Sequence, residues 1–320
     1  MLKENPLVTV IALCYNHERF VQEALQSVVN QTYSNIELIV VDDFSTDNSV
    51  KNILKFIENN SSAKTIFNES NLGNCRSFNQ AFEMANGKYI IDFATDDVML
   101  PERIAEQIKK FKNCSDKTGI VYSNGIYIDE NSEPLKSSQI LDNLIMPEGE
   151  VYQNFLEGSF LMPCTMMFKK TVLDQMNGYD ETLAYEDFDF WIRSSRTWEY
   201  AYVPKVLSYQ RIVKGSHSAS FYKKNNLLIP SVVKVCKKAL ALNKTEEENQ
   251  ALLVRMRATM IKCVLTENFQ AGKELNKMIE GLNGHNFKSW LFSKILLLKL
   301  PFGLISEQYV ELRRFIKFRI

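Results

Sequence analysis

The sequence predicts an α/β protein built on a mostly parallel sheet flanked by helices, and three observations carry that expectation. Two continuous apolar runs, Val8–Leu13 (VTVIAL) and Ile36–Val41 (IELIVV), read as strands buried on both faces. Each is followed by a segment with apolar positions at helical spacing, the alternation that right-handed βαβ units require. Acidic pairs follow the second of these strands and a later one, at the strand ends where open α/β sheets bind ligands.

Taken in order, Asn16 and His17 end the first strand, and Glu18–Asn30 is helical, with Phe20, Val21, Leu25, Val28 and Val29 recurring at helix spacing. The second strand delivers Asp42 and Asp43, and a helix runs from about Ser49 to Asn59. Thr65–Phe67 is a short third strand, Asn71–Asn74 a turn, and Ser77–Ala85 a helix stopped by Asn86-Gly87. Tyr89–Phe93 is the fourth strand, delivering Asp96 and Asp97. Pro101 then opens a helix whose first turn holds Glu102, and Arg103–Asn113 continues it. Gly119–Ile128 reads as a strand kinked at Gly125, and Asp129–Glu150 as a polar loop over a ligand site. Phe160–Phe168 is extended, Lys170–Gln175 a short helix, Asn177–Asp180 a turn, and Tyr185–Thr197 a helix opening on Glu186 and Asp187. Ala201–Gln210 is a strand, and Ile212–Ser220 a loop holding His217. From Leu227 onward the pattern is almost all helical. The expected boundary therefore lies near 225, with a sheet domain over 1–225 and a helical region over 226–320.

Composition narrows the function. Lys+Arg and Asp+Glu both total 38, which gives no reason to expect a nucleic-acid partner. The six cysteines are scattered, with no CxxC pair and no histidine at zinc spacing, as expected for free thiols in a reducing compartment. No signal-peptide core opens the chain, and no apolar run approaches the roughly 18 residues of a membrane span. The best candidate, Trp290–Leu300, is interrupted by Lys294 and Lys299 and stopped by Pro301. A cytoplasmic protein is the expectation.

Each acidic site has a structural alternative. Asp96-Asp97 could cap a helix, Asp42-Asp43 could form a strand-end turn with Ser45, and Glu186-Asp187 could simply favour a helix N-terminus. His217 could be a surface loop residue. Their combined order argues otherwise. Three convergent anionic clusters repel one another unless a cation or bound donors compensate. Paired hard oxygens suit Mg²⁺ or Mn²⁺ shared with substrate phosphates. Together they read as a metal-dependent phosphate-ester site.

Three stretches carry a resemblance that covers roughly residues 6–220. They are LVTVIALCYNHERFVQEALQSVVNQTYSNIELIVVDDFSTDNS, NESNLGNCRSFNQAFEMANGKYIIDFATDDVMLPERI and NGYDETLAYEDFDFWIR. In them the sequence resembles the inverting family-2 glycosyltransferases of the GT-A nucleotide-diphospho-sugar transferase fold. The resemblance implies a sugar moved from a nucleotide-diphosphate donor, a UDP-sugar first, to a hydroxyl of a glycan or lipid-linked acceptor in polysaccharide biosynthesis. It implies Mn²⁺ or Mg²⁺ as cofactor. By position, Asp43 stands as the nucleobase contact, with the backbone from Leu13 to Tyr15 lining the same pocket. Asp96 and Asp97 stand as the metal and ribose carboxylates and Asp187 as the catalytic base, with Glu186 beside it on the substrate. Arg76 and His217 are further candidates for diphosphate or metal contacts. Where the family commonly shows Asp-x-Asp-Asp, this chain has Ala94-Thr95-Asp96-Asp97, so two carboxylates share the duties.

Two rivals are weighed. A sugar-1-phosphate nucleotidyltransferase would need a glycine-rich phosphate loop after the first strand, and Cys14-Tyr15-Asn16-His17 has no glycine. A non-catalytic nucleotide-sugar-binding scaffold would account for the missing acid at Ala94 but not for the intact Asp43, Asp96, Asp97 and Asp187.

Beyond the resemblance, Ser289–Ile305 is rich in Leu, Ile, Phe and Trp. In Glu307–Ile320, Tyr309, Leu312, Ile316 and Ile320 form a stripe flanked by Arg313, Arg314, Lys317 and Arg319. A packing subdomain, a peripheral contact with an anionic membrane face, and an oligomer contact all fit this pattern. The sequence leaves the oligomeric state open.

Overall fold

The computed structural model describes residues 5–135, 146–213 and 217–299, without the side chains of residues 217–219. By internal contacts the chain forms two compact units. The first comprises the residues up to Glu150 with Leu161–Thr182 and Thr197–Ile212. The second comprises Val151–Phe160, Leu183–Arg196 and the described residues from Val213 onward.

The first unit begins with β1 (Val8–Cys14), α1 (Val21–Val29), β2 (Ile36–Asp42), α2 (Ser49–Glu58), β3 (Lys64–Phe67), α3 (Asn74–Glu83) and β4 (Tyr89–Ala94). It continues with β5 (Val98–Met99), α4 (Arg103–Phe111) and β6 (Thr118–Ile128). After α5 (Tyr152–Glu157), which belongs to the second unit, come β7 (Met167–Lys169) and α6 (Lys170–Met176). After α7 (Asp187–Ser195), again of the second unit, β8 (Glu199–Arg211) completes the sheet.

The eight strands run in the order β3-β2-β1-β4-β7-β6-β8-β5. β1 lies between β2 and β4 and is parallel to both, which is why all seven of its residues are buried and its sequence does not alternate. β3 joins β2 in parallel, and β6 and β8 form a second, long parallel pair. The three-residue β7 is antiparallel to both β4 and β6 and links the two parallel halves. The expected kink in β6 is present as register shifts between Ser123 and Gly125. At Gly125 a Cβ would meet Met162 Sδ at 2.6 Å, so the close approach needs glycine.

Val21, Ala24, Leu25 and Val28 of α1 join Ile104, Ile108 and Phe111 of α4 in one apolar core with the sheet. Burying the Val, Leu, Ile and Phe side chains among them stabilises the fold by about 1.5–3 kcal/mol each before chain entropy is counted.

Two expectations change here. Phe160–Phe168 is not continuously extended: Pro163 opens a 3-10 turn over Pro163–Thr165, and β7 begins only at Met167. The carbonyls released by the turn are met by α4. Gln107 Nε2 donates to the carbonyls of Thr165 at 2.7 Å and Val121 at 3.1 Å, and Arg103 Nη2 donates to Met166 at 2.9 Å. The expected acidic loop after β4 also contains a strand, β5, only two residues long and paired with β8.

The second unit consists of α5, α7, a 3-10 turn over His217–Tyr222, α8 (Leu228–Leu242), α9 (Glu246–Leu265), α10 (Phe269–Gly281) and α11 (Phe287–Leu297). Thr245 caps α9 by accepting the Glu248 N–H. Arg255 of α9 donates to the carbonyls of Phe155 and Leu156 at 2.7 and 3.0 Å, closing the C-terminus of α5. Gly272 of α10 lets Leu296 of α11 pack against its backbone; a Cβ there would lie 2.1 Å from Leu296 Cδ1. The expected boundary near 225 falls inside this unit. The helix expected over Tyr185–Thr197 is shorter, and the loop expected over Ile212–Ser220 contains the start of the 3-10 turn. The stripe of Tyr309, Leu312, Ile316 and Ile320 lies outside the described residues.

All six cysteines are free; five are buried and Cys114 is half-buried. Among the described residues no helix is long and apolar enough to cross a membrane.

Candidate active site

The exits of β1, β2 and β4 meet at one edge of the first unit. Cys14 hands its carbonyl to the Asp43 N–H at 2.9 Å, and Leu13 accepts both the Thr95 N–H at 3.0 Å and the Thr95 hydroxyl at 3.1 Å. The Leu13 carbonyl, expected to line a nucleotide pocket, is therefore committed to the loop after β4. Tyr15 is 45% exposed, an aromatic face left open at this edge. Asn16 adopts φ 58°, which asparagine tolerates, and its side-chain oxygen accepts the Thr46 N–H at 2.8 Å. That left-handed residue swings His17 back over the sheet edge. There the His17 N–H donates to Ser49 Oγ and its Nδ1 lies 2.9 Å from Thr95 Oγ1.

Asp43 is 7% exposed, and both its oxygens are engaged. Oδ1 accepts from Asn68 Nδ2 at 2.9 Å and from the Leu72 N–H at 2.8 Å; Oδ2 accepts the Gly73 N–H at 2.8 Å. Gly73, at φ 83°, is the N-cap of α3, so the carboxylate sits on a helix N-terminus and shapes the preceding turn. Arg76, in the first turn of α3, pairs with Glu181 at 3.3 Å, with both side chains about half exposed. Such a pair contributes about 0–1 kcal/mol and leaves the guanidinium available to an anion.

Asp96 and Asp97 form the turn between β4 and β5. Asp97 is buried, and its Oδ1 accepts the Arg211 N–H at 2.9 Å. Burial, with the adjacent Asp96 charge, pushes the Asp97 carboxyl well above the usual carboxylate range, against the pull of the Arg211 N–H and the Arg103 and Arg211 guanidinium groups. Arg103 is fully buried, its Nη1 unpartnered, and burial depresses it to about 10. Arg211, 4% exposed at the end of β8, holds the loop together. Its Nε donates to the Asp96 carbonyl at 2.8 Å, Nη1 to the Asp129 carbonyl at 3.1 Å and Ser132 Oγ at 2.9 Å, and Nη2 to Glu23 at 2.7 Å. The Asp96 side chain is 16% exposed, and its Oδ2 lies 3.9 Å from His17 Nε2.

Among the described residues no group of three His, Cys, Asp or Glu side chains converges as a complete metal cage. The two carboxylates nevertheless fit a hard divalent cation that takes its remaining oxygens from phosphate and water. Such a cation would favour the charged form of Asp97, which burial and then the neighbouring Asp96 charge disfavour.

In the second unit, Glu186 is the N-cap residue of α7 and Asp187 its first residue. Tyr185 precedes them, its hydroxyl pushed up by burial and then by Asp187. Asp189, one turn further on, is buried and saturated by Arg193 Nε at 2.6 Å and Lys238 Nζ at 2.7 Å, so its role is structural. His217 opens the 3-10 turn; its side chain lies outside the described residues.

Sequence reasoning missed His17, Thr95 and Arg211. Only His17 left a trace, as one of three histidines. Arg211 falls between the strand expected over Ala201–Gln210 and the loop expected over Ile212–Ser220, and nothing local marks its partners, the nearest of them 79 residues away.

Comparison with known proteins agrees with this architecture. The fold is that of GT-A glycosyltransferases. S. aureus TarS residues 1–349, solved in complex with UDP-GlcNAc, superposes with TM-score 0.70 at 18% identity over 95% of this chain and 91% of that one. The mannosyltransferase PcManGT from Pyrobaculum calidifontis, solved with GDP-Man and Mn²⁺, gives 0.60 at 16% identity over 97% and 84%. Residues 9–176 match the glycosyl transferase family 2 model, and the chain belongs to that family: it is a glycosyltransferase. An uncharacterized glycosyltransferase of Methanocaldococcus jannaschii is 29% identical over 70% of this chain and 77% of its own length. The Escherichia coli UDP-Glc:alpha-D-GlcNAc-diphosphoundecaprenol beta-1,3-glucosyltransferase WfgD is 29% identical over 52% of this chain and 62% of its own.

Proposed function

We propose that the chain is a metal-dependent inverting glycosyltransferase that moves a sugar from a UDP-sugar to a hydroxyl of a glycan or lipid-linked acceptor in polysaccharide biosynthesis. The carrying observation is the Asp96–Asp97 turn at the C-terminal end of β4, held from behind by Arg211. Support for the donor comes from the UDP-GlcNAc bound by TarS and the UDP-Glc named for WfgD. Support for the lipid-linked acceptor comes from the diphosphoundecaprenol substrate of WfgD.

In this reading Asp96 and Asp97 hold Mn²⁺ or Mg²⁺, which when bound neutralises charge on the leaving diphosphate. Asp43 accepts the imide N–H of uracil with its remaining lone pair, and Tyr15 offers the base a face to stack on. Arg76 takes diphosphate charge, with His217 as a second candidate. Asp187 removes the proton of the acceptor hydroxyl as it attacks the anomeric carbon, and Glu186 beside it contacts the nucleotide-sugar. No covalent enzyme intermediate forms. The chemistry is assigned to residues 1–225. UDP binding measured with Mn²⁺ and with EDTA tests the core of the reading: affinity should fall sharply in EDTA, and Asp97→Ala should abolish the difference. Equal affinity in both buffers refutes it.

A peripheral membrane role for residues 226–320 rests on α11. Phe287, Trp290, Leu291 and Leu298 recur at helix spacing and are 78%, 47%, 42% and 69% exposed, whereas Ser289 and Ser293 are buried. Lys294 lies in the same stripe with its Nζ 5.6 Å from the Trp290 ring centroid. Exposed aromatics with lysines suit the face of an anionic bilayer, and on this reading the protein works at the cytoplasmic face of a membrane. Salt-sensitive co-sedimentation with anionic vesicles, lost in Trp290→Ser/Leu291→Ser, is the expected result. Unchanged sedimentation of that variant refutes it.

A further inference from the structure

Asp92 is a carboxylate in the middle of β4 to which the reading above gives no task. Its neighbours Ile91 and Phe93 point into the apolar core shared with α1 and α4, so Asp92 lies on the opposite face with Ile90 and Ala94. Asp92 and Ala94 are half-buried, whereas the other four residues of β4 are buried. β1 runs beside the strand as far as Ala94, but β7 pairs only with Tyr89 and Ile90. Among the described residues, the end of β4 therefore has a ladder partner on one side alone.

A carboxylate in a central strand costs desolvation unless it is hydrogen-bonded. Here the Tyr179 hydroxyl donates to Asp92 Oδ2 at 2.9 Å. Tyr179 is 4% exposed, and its ring centroid lies 4.3 Å from that of Phe78. Its N–H donates to Asn79 Oδ1 and its carbonyl accepts from Asn79 Nδ2, each at 2.9 Å. The tyrosine is thus held by backbone and ring together, and its hydroxyl fixes the direction of the carboxylate. Two residues further along the same face, about 6.6 Å of strand, Ala94 stands where the resembled family commonly has an acid. The small Ala94 methyl leaves a way from the Asp96–Asp97 turn down to Asp92, in keeping with the partial exposure of both residues. A cation is a poor occupant: the Tyr179 hydrogen already points at the carboxylate, and among the described residues no group of three His, Cys, Asp or Glu side chains converges there. A neutral ligand that brings its own hydrogen suits an oriented acceptor of this kind.

We propose that Asp92 accepts a hydroxyl of the donor's sugar ring and so helps to decide which sugar is transferred, the carboxylate standing one pleat below the acid that Ala94 replaces. Tyr179 is a positioning residue, acting through Asp92. The assignment rests on the nucleotide-sugar reading above, but it concerns the sugar and not the nucleotide, so the two can fail separately.

The test is calorimetric titration of UDP, UDP-glucose, UDP-galactose, UDP-GlcNAc and UDP-GalNAc into wild type, Asp92→Asn and Tyr179→Phe at fixed Mn²⁺. For the UDP-sugar that wild type binds most tightly, Asp92→Asn should weaken binding by roughly tenfold, the worth of one hydrogen bond to a charged group, and leave UDP within about twofold. Tyr179→Phe keeps the ring against Phe78 but releases the carboxylate, so it should act in the same direction by about threefold. It carries the test alone if Asp92→Asn fails to fold. Equal losses for UDP and for the UDP-sugar would make Asp92 structural and overturn the proposal. So would a sugar-to-UDP affinity ratio that stays at the wild-type value in the folded variants. If UDP binds wild type and that ratio ignores Asp92 and Tyr179, only this inference fails. If no uridine nucleotide binds wild type at all, the donor reading fails with it.

Discussion

Asp97 Oδ1 accepts the main-chain N–H of Arg211 at 2.9 Å, and the Arg211 side chain returns to the same loop by donating Nε–H to the Asp96 carbonyl at 2.8 Å. The last residue of β8 thus holds both members of the acidic pair, one through its backbone and one through its side chain. The backbone half survives substitution; the guanidinium half does not.

Arg211→Lys therefore isolates the side-chain half. Lysine keeps the charge but cannot present the planar fork that reaches Asp96, Asp129, Ser132 and Glu23 from one buried position. Urea unfolding should show a loss of about 2–4 kcal/mol, and UDP affinity in Mn²⁺ should weaken with it. Wild-type stability in this variant would mean that the guanidinium is not the strut.

Asp43→Asn probes the turn before α3. The amide places an NH₂ among three donors (Asn68 Nδ2, Leu72 N–H and Gly73 N–H) that now converge on carboxylate oxygens. A destabilisation of about 2–3 kcal/mol is expected, together with loss of the preference for UDP over CDP. Tighter CDP than UDP binding in the wild type would remove the base-contact role and leave only the structural one.

Asp187→Asn keeps size and hydrogen bonding but cannot accept the proton. Turnover should fall by roughly 10²–10⁴-fold with donor affinity nearly unchanged. Glu186→Gln should be the milder lesion. The reverse ranking in steady-state kinetics would exchange the two roles.

Glu37 gives the pH dependence of folding. Burial acts to raise its carboxyl, but hydrogen bonds from Lys64, Thr9 and Asn86 outweigh burial and bring it to about 2. A depressed carboxylate stabilises the fold above its unfolded pKa, here the ordinary 4.5, and loses that contribution as pH falls toward 2. The full contribution is about 3 kcal/mol, so Glu37→Gln should cost most at pH 6 and roughly half as much at pH 3. A deficit independent of pH would show that the charged form is not the stabilising one.

The legible parts of the chain were those whose cause is local. Val8–Leu13 and Ile36–Val41 announce buried parallel strands because both faces are covered, and Asp43, Asp96 and Asp97 follow directly from where such strands end. β5 and β7 were not legible, because two and three residues hold no periodicity; tertiary pairing with β8, β4 and β6 makes them strands. The helix at Asp187 was legible, but its membership in the second unit was not, since a linear pattern does not say that Leu183–Arg196 packs with α8 and α9. Arg211 and Thr95 escaped for the same reason. A buried arginine at a strand end and a threonine before two aspartates acquire meaning only when the chain closes on itself.

The distribution of the cysteines makes the protein its own probe of opening. Burial lifts the thiols of Cys14 to about 11 and of Cys236 and Cys263 to about 12, so in the folded chain they carry almost no reactive thiolate. A maleimide added to the native protein meets Cys114 first. Cys14 lies in β1, and Cys236 and Cys263 lie in α8 and α9, so delayed labelling at each reports a different unit coming apart. Peptide-resolved labelling rates would therefore read out, with no engineered reporter, whether the sheet and the helices melt together or in turn.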